Sequence, residues 1–188
     1  MIAKKISLIF LLGTATMFAR NSIGLNINSD DFEVEGSLDL NSFSEYTGGT
    51  VISLDANYMN TEKDNLFGFG VSANNNFVGS EGLSIGIGAK YLNFDDYSAL
   101  PFMIEASYAI PIGESIPTAS FSGSILYAPS VLSFDDADNY FEFRAEAAME
   151  IISAVSLYVG YRDMEVDTVF NRTDTFNSSF YGGMKIGF

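Results

Sequence analysis

The chain has 188 residues, with 24 Asp and Glu against 9 Lys and Arg, a formal net charge of −15, and neither His nor Cys. Those absences exclude Ser-His and Cys-His catalysis, histidine or thiolate metal sites, and disulfides. The acidic balance excludes a nucleic-acid partner, because phosphate contacts need clustered Lys and Arg; one domain fits the length, and no cofactor is expected.

Residues 1–19 read as a secretory signal. Lys4 and Lys5 give a positive start, Ile6 to Leu12 a short apolar core, and Gly13 to Ala19 a stretch of smaller residues, too short for a comfortable membrane span. Cleavage is expected after Ala19, or after Ala15 because Met17 is large for the −3 position; an uncleaved anchor is the other reading. Removing residues 1–19 leaves 7 positive and 24 negative side chains, a net of −17. Residues 20–188 then form the mature domain.

From there on the chain alternates with period two, the signature of a strand with unlike faces. Ile23, Leu25 and Ile27 open the series, a tight turn is expected at Ser29-Asp30-Asp31, and Phe32, Val34, Leu38 and Leu40 alternate with Glu33, Glu35, Ser37 and Asp39. After a ten-residue connection at 41–50, Ile52 to Tyr58, Phe67 to Ala73 and Leu83 to Tyr91 carry the same pattern with Ser, Gly, Asp and Lys between the apolar residues. Phe102 to Ile110 and Ala119 to Tyr127 follow, separated by a turn at 111–117. Phe141, Phe143, Ala145, Ala147, Met149 and Ile151 alternate with Glu142, Arg144, Glu146, Ala148 and Glu150; a helix would mix those charges around its circumference. Val155 to Tyr161 and Phe180 to Phe188 complete the set, with polar, acidic loops expected at 129–139 and 166–177.

Segments of this length match the ~9–11 residues of a tilted membrane-crossing strand. The fold expected is therefore all-β: a transmembrane antiparallel up-and-down β-barrel of ten strands, or eight if the N-terminal region packs differently. The connections are expected to alternate between longer outer loops and short periplasmic turns. A soluble β-domain, apolar face inward, is the competing reading. Against it stand a polar face rich in Gly and Ser, which suits a crowded lumen, and Tyr58, Tyr91, Tyr108, Tyr127 and Tyr161, which suit interfacial girdles. Phe180, Met184, Ile186 and the terminal Phe188 resemble the signal that outer-membrane proteins present to the barrel-assembly machinery.

Charges on the polar face must point into the lumen, since lipid exposure costs ~2–4 kcal/mol for each Arg or Lys at the midplane. They include Glu33, Glu35, Asp55, Lys90, Glu105, Glu142, Arg144, Glu146, Glu150, Arg162 and Lys185. Two arrangements fit: an ion-pair network filling the barrel, or a narrow cation-preferring path lined by surplus carboxylates. Acids at Asp30-Asp31, Glu62, Asp64, Asp95-Asp96, Asp135-Asp136, Asp138, Glu165 and Asp167 mark the expected outer loops. They are either solvated or bridged by divalent cations to lipopolysaccharide.

The run Leu66-Phe67-Gly68-Phe69-Gly70-Val71-Ser72-Ala73-Asn74-Asn75-Asn76-Phe77, followed by Gly82 to Tyr91, resembles the central hairpin of the YfaZ family of outer-membrane proteins. The resemblance implies a small barrel in a Gram-negative outer membrane and supplies no catalytic or binding residues. The expected function is a non-enzymatic outer-membrane barrel with a structural or surface role or a narrow pore. A passive cation-preferring channel and a soluble periplasmic domain are the alternatives.

Overall fold

The computed structural model describes residues 21–43, 48–62, 64–110, 118–169 and 172–188. The signal at residues 1–19, the turn at 111–117 and part of the 41–50 connection lie outside the described residues. Twelve strands are present among them: β1 (Ser22–Ile27), β2 (Phe32–Asp39), β3 (Val51–Asn60), β4 (Asn65–Asn76), β5 (Leu83–Asn93), β6 (Tyr97–Ala99), β7 (Phe102–Ala109), β8 (Thr118–Ala128), β9 (Ser133–Asp135), β10 (Ala137–Ile152), β11 (Val155–Thr168) and β12 (Arg172–Gly187). β4 pairs with β5, and β1 pairs with β12 from Ser22 opposite Gly187 to Ile27 opposite Gly182. Ten strands therefore form one closed antiparallel ring, with β6 and β9 paired to each other above it. Closure removes the free edges that would otherwise recruit other strands.

Both described termini lie at one end of the barrel, here called the terminal end; the opposite, hairpin end carries the β1–β2, β3–β4 and β11–β12 connections. The turn at Ser29-Asp30-Asp31 is tight, as expected: Asn28 Oδ1 accepts from the amides of Asp30 and Asp31, each at 2.8 Å. At the terminal end Asn41 bridges the long connection, donating to the Thr50 carbonyl at 2.6 Å and accepting from the Ile52 amide at 2.9 Å. Gly82, at φ +81°, ends the turn before β5, where a Cβ would collide with the Ala109 carbonyl oxygen.

The connections depart from the expected alternation of long and short. Residues 166–177 are mostly strand: β11 runs on to Thr168 and β12 starts at Arg172. Residues 129–139 hold a short 3-10 turn, β9 and the start of β10. The hairpin end is thus an extension of the sheet.

The outer face carries the apolar set at each strand. Phe67, Phe69, Val71, Ile87, Ile104, Phe121, Val159 and Phe180 are between 45% and 79% exposed. The five tyrosines read as girdle residues lie on this face, Tyr58, Tyr91, Tyr108 and Tyr127 being 40–49% exposed. A contiguous apolar surface of this kind is larger than soluble monomers usually expose and fits a lipid-facing wall. On β11 the polarity then inverts. Val155, Leu157, Val159 and Tyr161 face outward, and beyond them Asp163, Glu165 and Asp167 take the same outward positions while Met164 and Val166 are fully buried inside. A bulge between Met164 and Glu165 leaves Phe176 of β12 unpaired, and its ring joins the inner core.

Candidate functional site

The lumen has three layers. At the hairpin end, Met59, Leu66, Leu92, Phe94, Ala99, Leu126, Ala128, Ala137, Tyr140, Met164, Val166 and Phe176 form one buried apolar cluster. Phe94 sits among its rings, 4.3 Å from Tyr97, 4.8 Å edge-on to Phe176 and 5.8 Å from Tyr140, centroid to centroid. Period two places those on the ring strands, which share the inward parity, while Phe94 follows the end of β5, Ala99 comes from β6 and the bulge brings in Phe176. Among the described residues this cluster fills the lumen side of the hairpin end.

Beneath it an ion network crosses the lumen. Arg162 of β11 is fully buried and donates to Glu33 at 2.6 Å, Asp31 at 2.9 Å and Asn177 at 3.0 Å. Arg144 of β10 reaches Glu33 of β2, which is four strands away around the ring, through two hydrogen bonds of 2.9 and 3.0 Å, and also pairs with Glu142. Glu33 accepts further hydrogen bonds from Asn26 at 3.0 Å and Asn57 at 2.6 Å, while Glu142 accepts from the Tyr140 hydroxyl at 2.6 Å. Tyr158 donates to Asn26. A two-point guanidinium–carboxylate fork fixes orientation as well as charge. Glu33 and Asp31 are met by donors on several strands and Glu142 by two on its own strand, so every buried carboxylate of this layer has the donors that make burying charge tolerable.

The third layer is a polar cavity of about 720 Å³. It reaches the terminal end at Ser22, Asn41, Asn76 and Ser84, and stops inward at Asn57, Leu126, Glu142 and Arg144. Glycines let two of its wall side chains pack against β5: a Cβ on Gly86 would meet Glu105 Cγ at 2.8 Å, and one on Gly88 would meet Met103 Cε at 2.9 Å.

The sequence-predicted residues distribute over these layers unevenly. Glu142, Arg144 and Arg162 belong to the cross-lumen network, and Lys185 pairs separately with Glu35 at 3.0 Å. Lys90, Glu105 and Glu146 line the cavity. Glu105 accepts from Asn74 at 2.6 Å, Glu146 accepts from Tyr181 at 2.6 Å, and Lys90 forms no ion pair among the described residues. Glu150 sits at the terminal rim, where it accepts from the Ala154 amide at 2.9 Å and caps the β10–β11 turn. Phe180, Met184 and Ile186 face outward on β12, and the Phe188 amide bonds the Asn21 carbonyl at 2.9 Å across the seam. Asp31, expected among the loop acids, is instead 8% exposed and part of the network. Asn26, Asn57, Tyr140, Tyr158 and Asn177 were not expected there. No composition signal marks an isolated asparagine as a lumen bridge.

The hairpin-end acids do not gather into a group of three or more able to hold a metal ion among the described residues. Asp64, between β3 and β4, accepts from the Asn65 amide at 2.6 Å and, more loosely, from the Asp95 amide at 3.3 Å. Partial burial and the adjoining Asp95 carboxyl hold its acid above the ordinary carboxylate value. A raised acid favours the fold while protonated, so its contribution is present below the unfolded-state value and is lost as pH rises through the folded one. Asp64→Asn keeps the acceptor oxygen and removes the ionisation. Amide exchange at Asn65 and Asp95 should then show stronger protection than wild type at neutral pH, and equal protection in acid.

Compared with known families, residues 3–188 match the family model described as YfaZ precursor. No curated protein matches the chain.

Proposed function

The chain belongs to the YfaZ family, and on that premise we propose that it is an integral outer-membrane β-barrel with a structural or surface role, closed to ion flow and without catalytic activity. The observation that carries the reading is the outward apolar band around a closed ten-strand ring, bounded on β11 by the step from Tyr161 to Asp163. A lipid bilayer covers such a band, and the inverted polarity above it fits a surface that emerges into water. Both termini then lie on the periplasmic side and the acidic hairpin end faces outward, toward lipopolysaccharide. Phe180, Met184, Ile186 and Phe188 present the recognition strand to the assembly machinery. A precursor family name agrees with export through the signal at residues 1–19.

The apolar cluster and the ion network act as two barriers in series, which favours a closed lumen over the passive cation-preferring channel. The absence of His and Cys leaves no ordinary nucleophile–base pair, and the buried carboxylates are committed to donors. Cell fractionation and refolding into a planar bilayer test the reading together. Expected are recovery in the outer-membrane fraction, a heat-shifted gel mobility and no discrete openings across a KCl gradient. Steady openings with a K⁺-favouring reversal potential would replace it with the channel, and recovery as a soluble periplasmic protein would remove it altogether.

A further inference from the structure

We propose that the overhanging edge of β12 is a strand-addition site for an extended cationic polypeptide segment. On its β11 side, β12 is paired from Arg172 opposite Thr168 to Ile186 opposite Val155, with only Phe176 skipped. On its β1 side, pairing begins at Gly182, opposite Ile27, because the chain turns back there into β2. The β1–β2 turn leans against the next stretch, Asn28 donating to Ser179 at 2.9 Å and Asn177 to Asp31 at 2.5 Å. Above that, no strand among the described residues flanks residues 172–175 on this side.

The free backbone groups have a definite direction. Successive residues of a strand turn their amides and carbonyls to opposite sides. The Gly187 amide bonds the Ala154 carbonyl, and the Val169 amide bonds the Asp136 carbonyl. Even-numbered residues of β11 therefore turn toward β12 and odd-numbered ones toward β10. Arg172 and Asp174 stand opposite Thr168 and Val166, so their groups are used in the ladder. Thr173 and Thr175 each aim an amide and a carbonyl away from the sheet. Both are exposed and β-branched, and neither Pro nor Lys, which commonly guard a free edge, occurs in residues 172–179.

Charge selects the occupant. Asp163, Glu165 and Asp167 stand on the outer face of β11, in register with Ser178, Thr175 and Thr173. The cation of the overhang, Arg172, is already paired with Asp174 at 2.7 Å. A second copy of this chain would bring the same acids to the same edge, and its net charge of −15 adds to the repulsion. An extended segment with Lys or Arg at alternate positions instead bonds the backbone of Thr173 and Thr175. Its long side chains then lie over the threonines toward Glu165 and Asp167. That the edge faces the cell exterior rests on the membrane orientation proposed above, whereas the edge itself does not.

The test is fluorescence anisotropy of a labelled, end-capped peptide of alternating lysine and valine, titrated with the refolded full-length protein in detergent micelles. Saturable binding is expected. It should weaken about tenfold or more when every peptide nitrogen is methylated, which keeps the charge and removes the donors. Thr173→Pro should weaken the unmethylated peptide comparably, since it deletes an amide that the β11 ladder does not use. Glu165→Gln/Asp167→Asn should also weaken it, whereas Glu62→Gln, on the β3–β4 turn at the same end, should bind like wild type. Heat-shifted gel mobility verifies folding, and the comparison of the two peptides decides the matter if Thr173→Pro does not fold. No saturable binding by the wild type overturns the proposal. So does equal binding of the two peptides, since charge alone then accounts for it, and so does full affinity in Glu165→Gln/Asp167→Asn. Self-association without peptide, abolished by Thr173→Pro, would give the edge to a second copy and overturn it too. Because the assay is run in detergent, its outcome is independent of cell fractionation, and a failure of either reading is recognised as its own.

Discussion

Arg162→Met is expected to destabilise the folded barrel by about 3–5 kcal/mol, the usual consequence of removing one partner from a buried ion pair. The guanidinium has no exposure, and its three nitrogens serve Glu33, Asp31 and Asn177 separately. Methionine fills much of the volume and donates nothing. Glu33 keeps Arg144, Asn26 and Asn57 as donors, so the deficit falls mainly on Asp31, left with Asn177 alone at 2.5 Å. Asp31→Asn in the same chain should therefore recover part of the loss, giving a coupling energy well above additivity. Arg162→Lys should not rescue, because one ammonium cannot present a planar fork to three acceptors. Denaturant titration of the barrel folded into lipid vesicles measures these three variants and the Asp31→Asn single variant that completes the cycle. A cost below about 1 kcal/mol for Arg162→Met would mean that water reaches the network and screens it like an exposed pair.

Phe94→Ala is the second large effect. The ring is 2% exposed and contacts three other aromatic residues, so its truncation removes buried area and leaves a void worth about 3–5 kcal/mol. The same titration reads the loss. The lumen should nevertheless stay silent in a planar bilayer, because the Glu142–Arg144–Glu33–Arg162–Asp31 chain still crosses it beneath the void. Conductance in Phe94→Ala would assign the seal to the apolar cluster alone.

Much of the fold is legible in the residue pattern, since a strict two-residue period specifies both strand and face. The segment Ile85 to Tyr91, alternating with Gly and Lys, leaves little else for the chain to do. The pattern fails where the solvent changes. At Asp163, Glu165 and Asp167 the period persists, but with acids outside and Met164 and Val166 inside, so a reading that expects apolar residues outward sees a loop. Pairs such as Tyr58-Met59, Tyr91-Leu92 and Ile125-Leu126 carry the missing signal: consecutive apolar residues near a strand end mark a stretch apolar on both faces, the first residue exposed on the outer wall and the second buried in the lumen. The cross-lumen network is less accessible still. Arg144 and Glu33 are 111 positions apart, and Arg162 and Asp31 are 131 apart. Their meeting depends on the relative stagger of strands that are not neighbours in sequence, which no local window contains. The charges themselves were visible, but their division between network, cavity and rim was not.

The seam between β1 and β12 has a consequence in time. Ser22 faces Gly187 at opposite ends of the described chain, so the pairing that shuts the ring is also the one with the largest entropy of loop closure. Every other neighbouring pair in the ring joins strands that are consecutive or nearly so and can form early as a hairpin. The expected order is therefore a curved sheet that grows hairpin by hairpin and becomes a cylinder last, when a six-residue strand meets Gly182–Gly187.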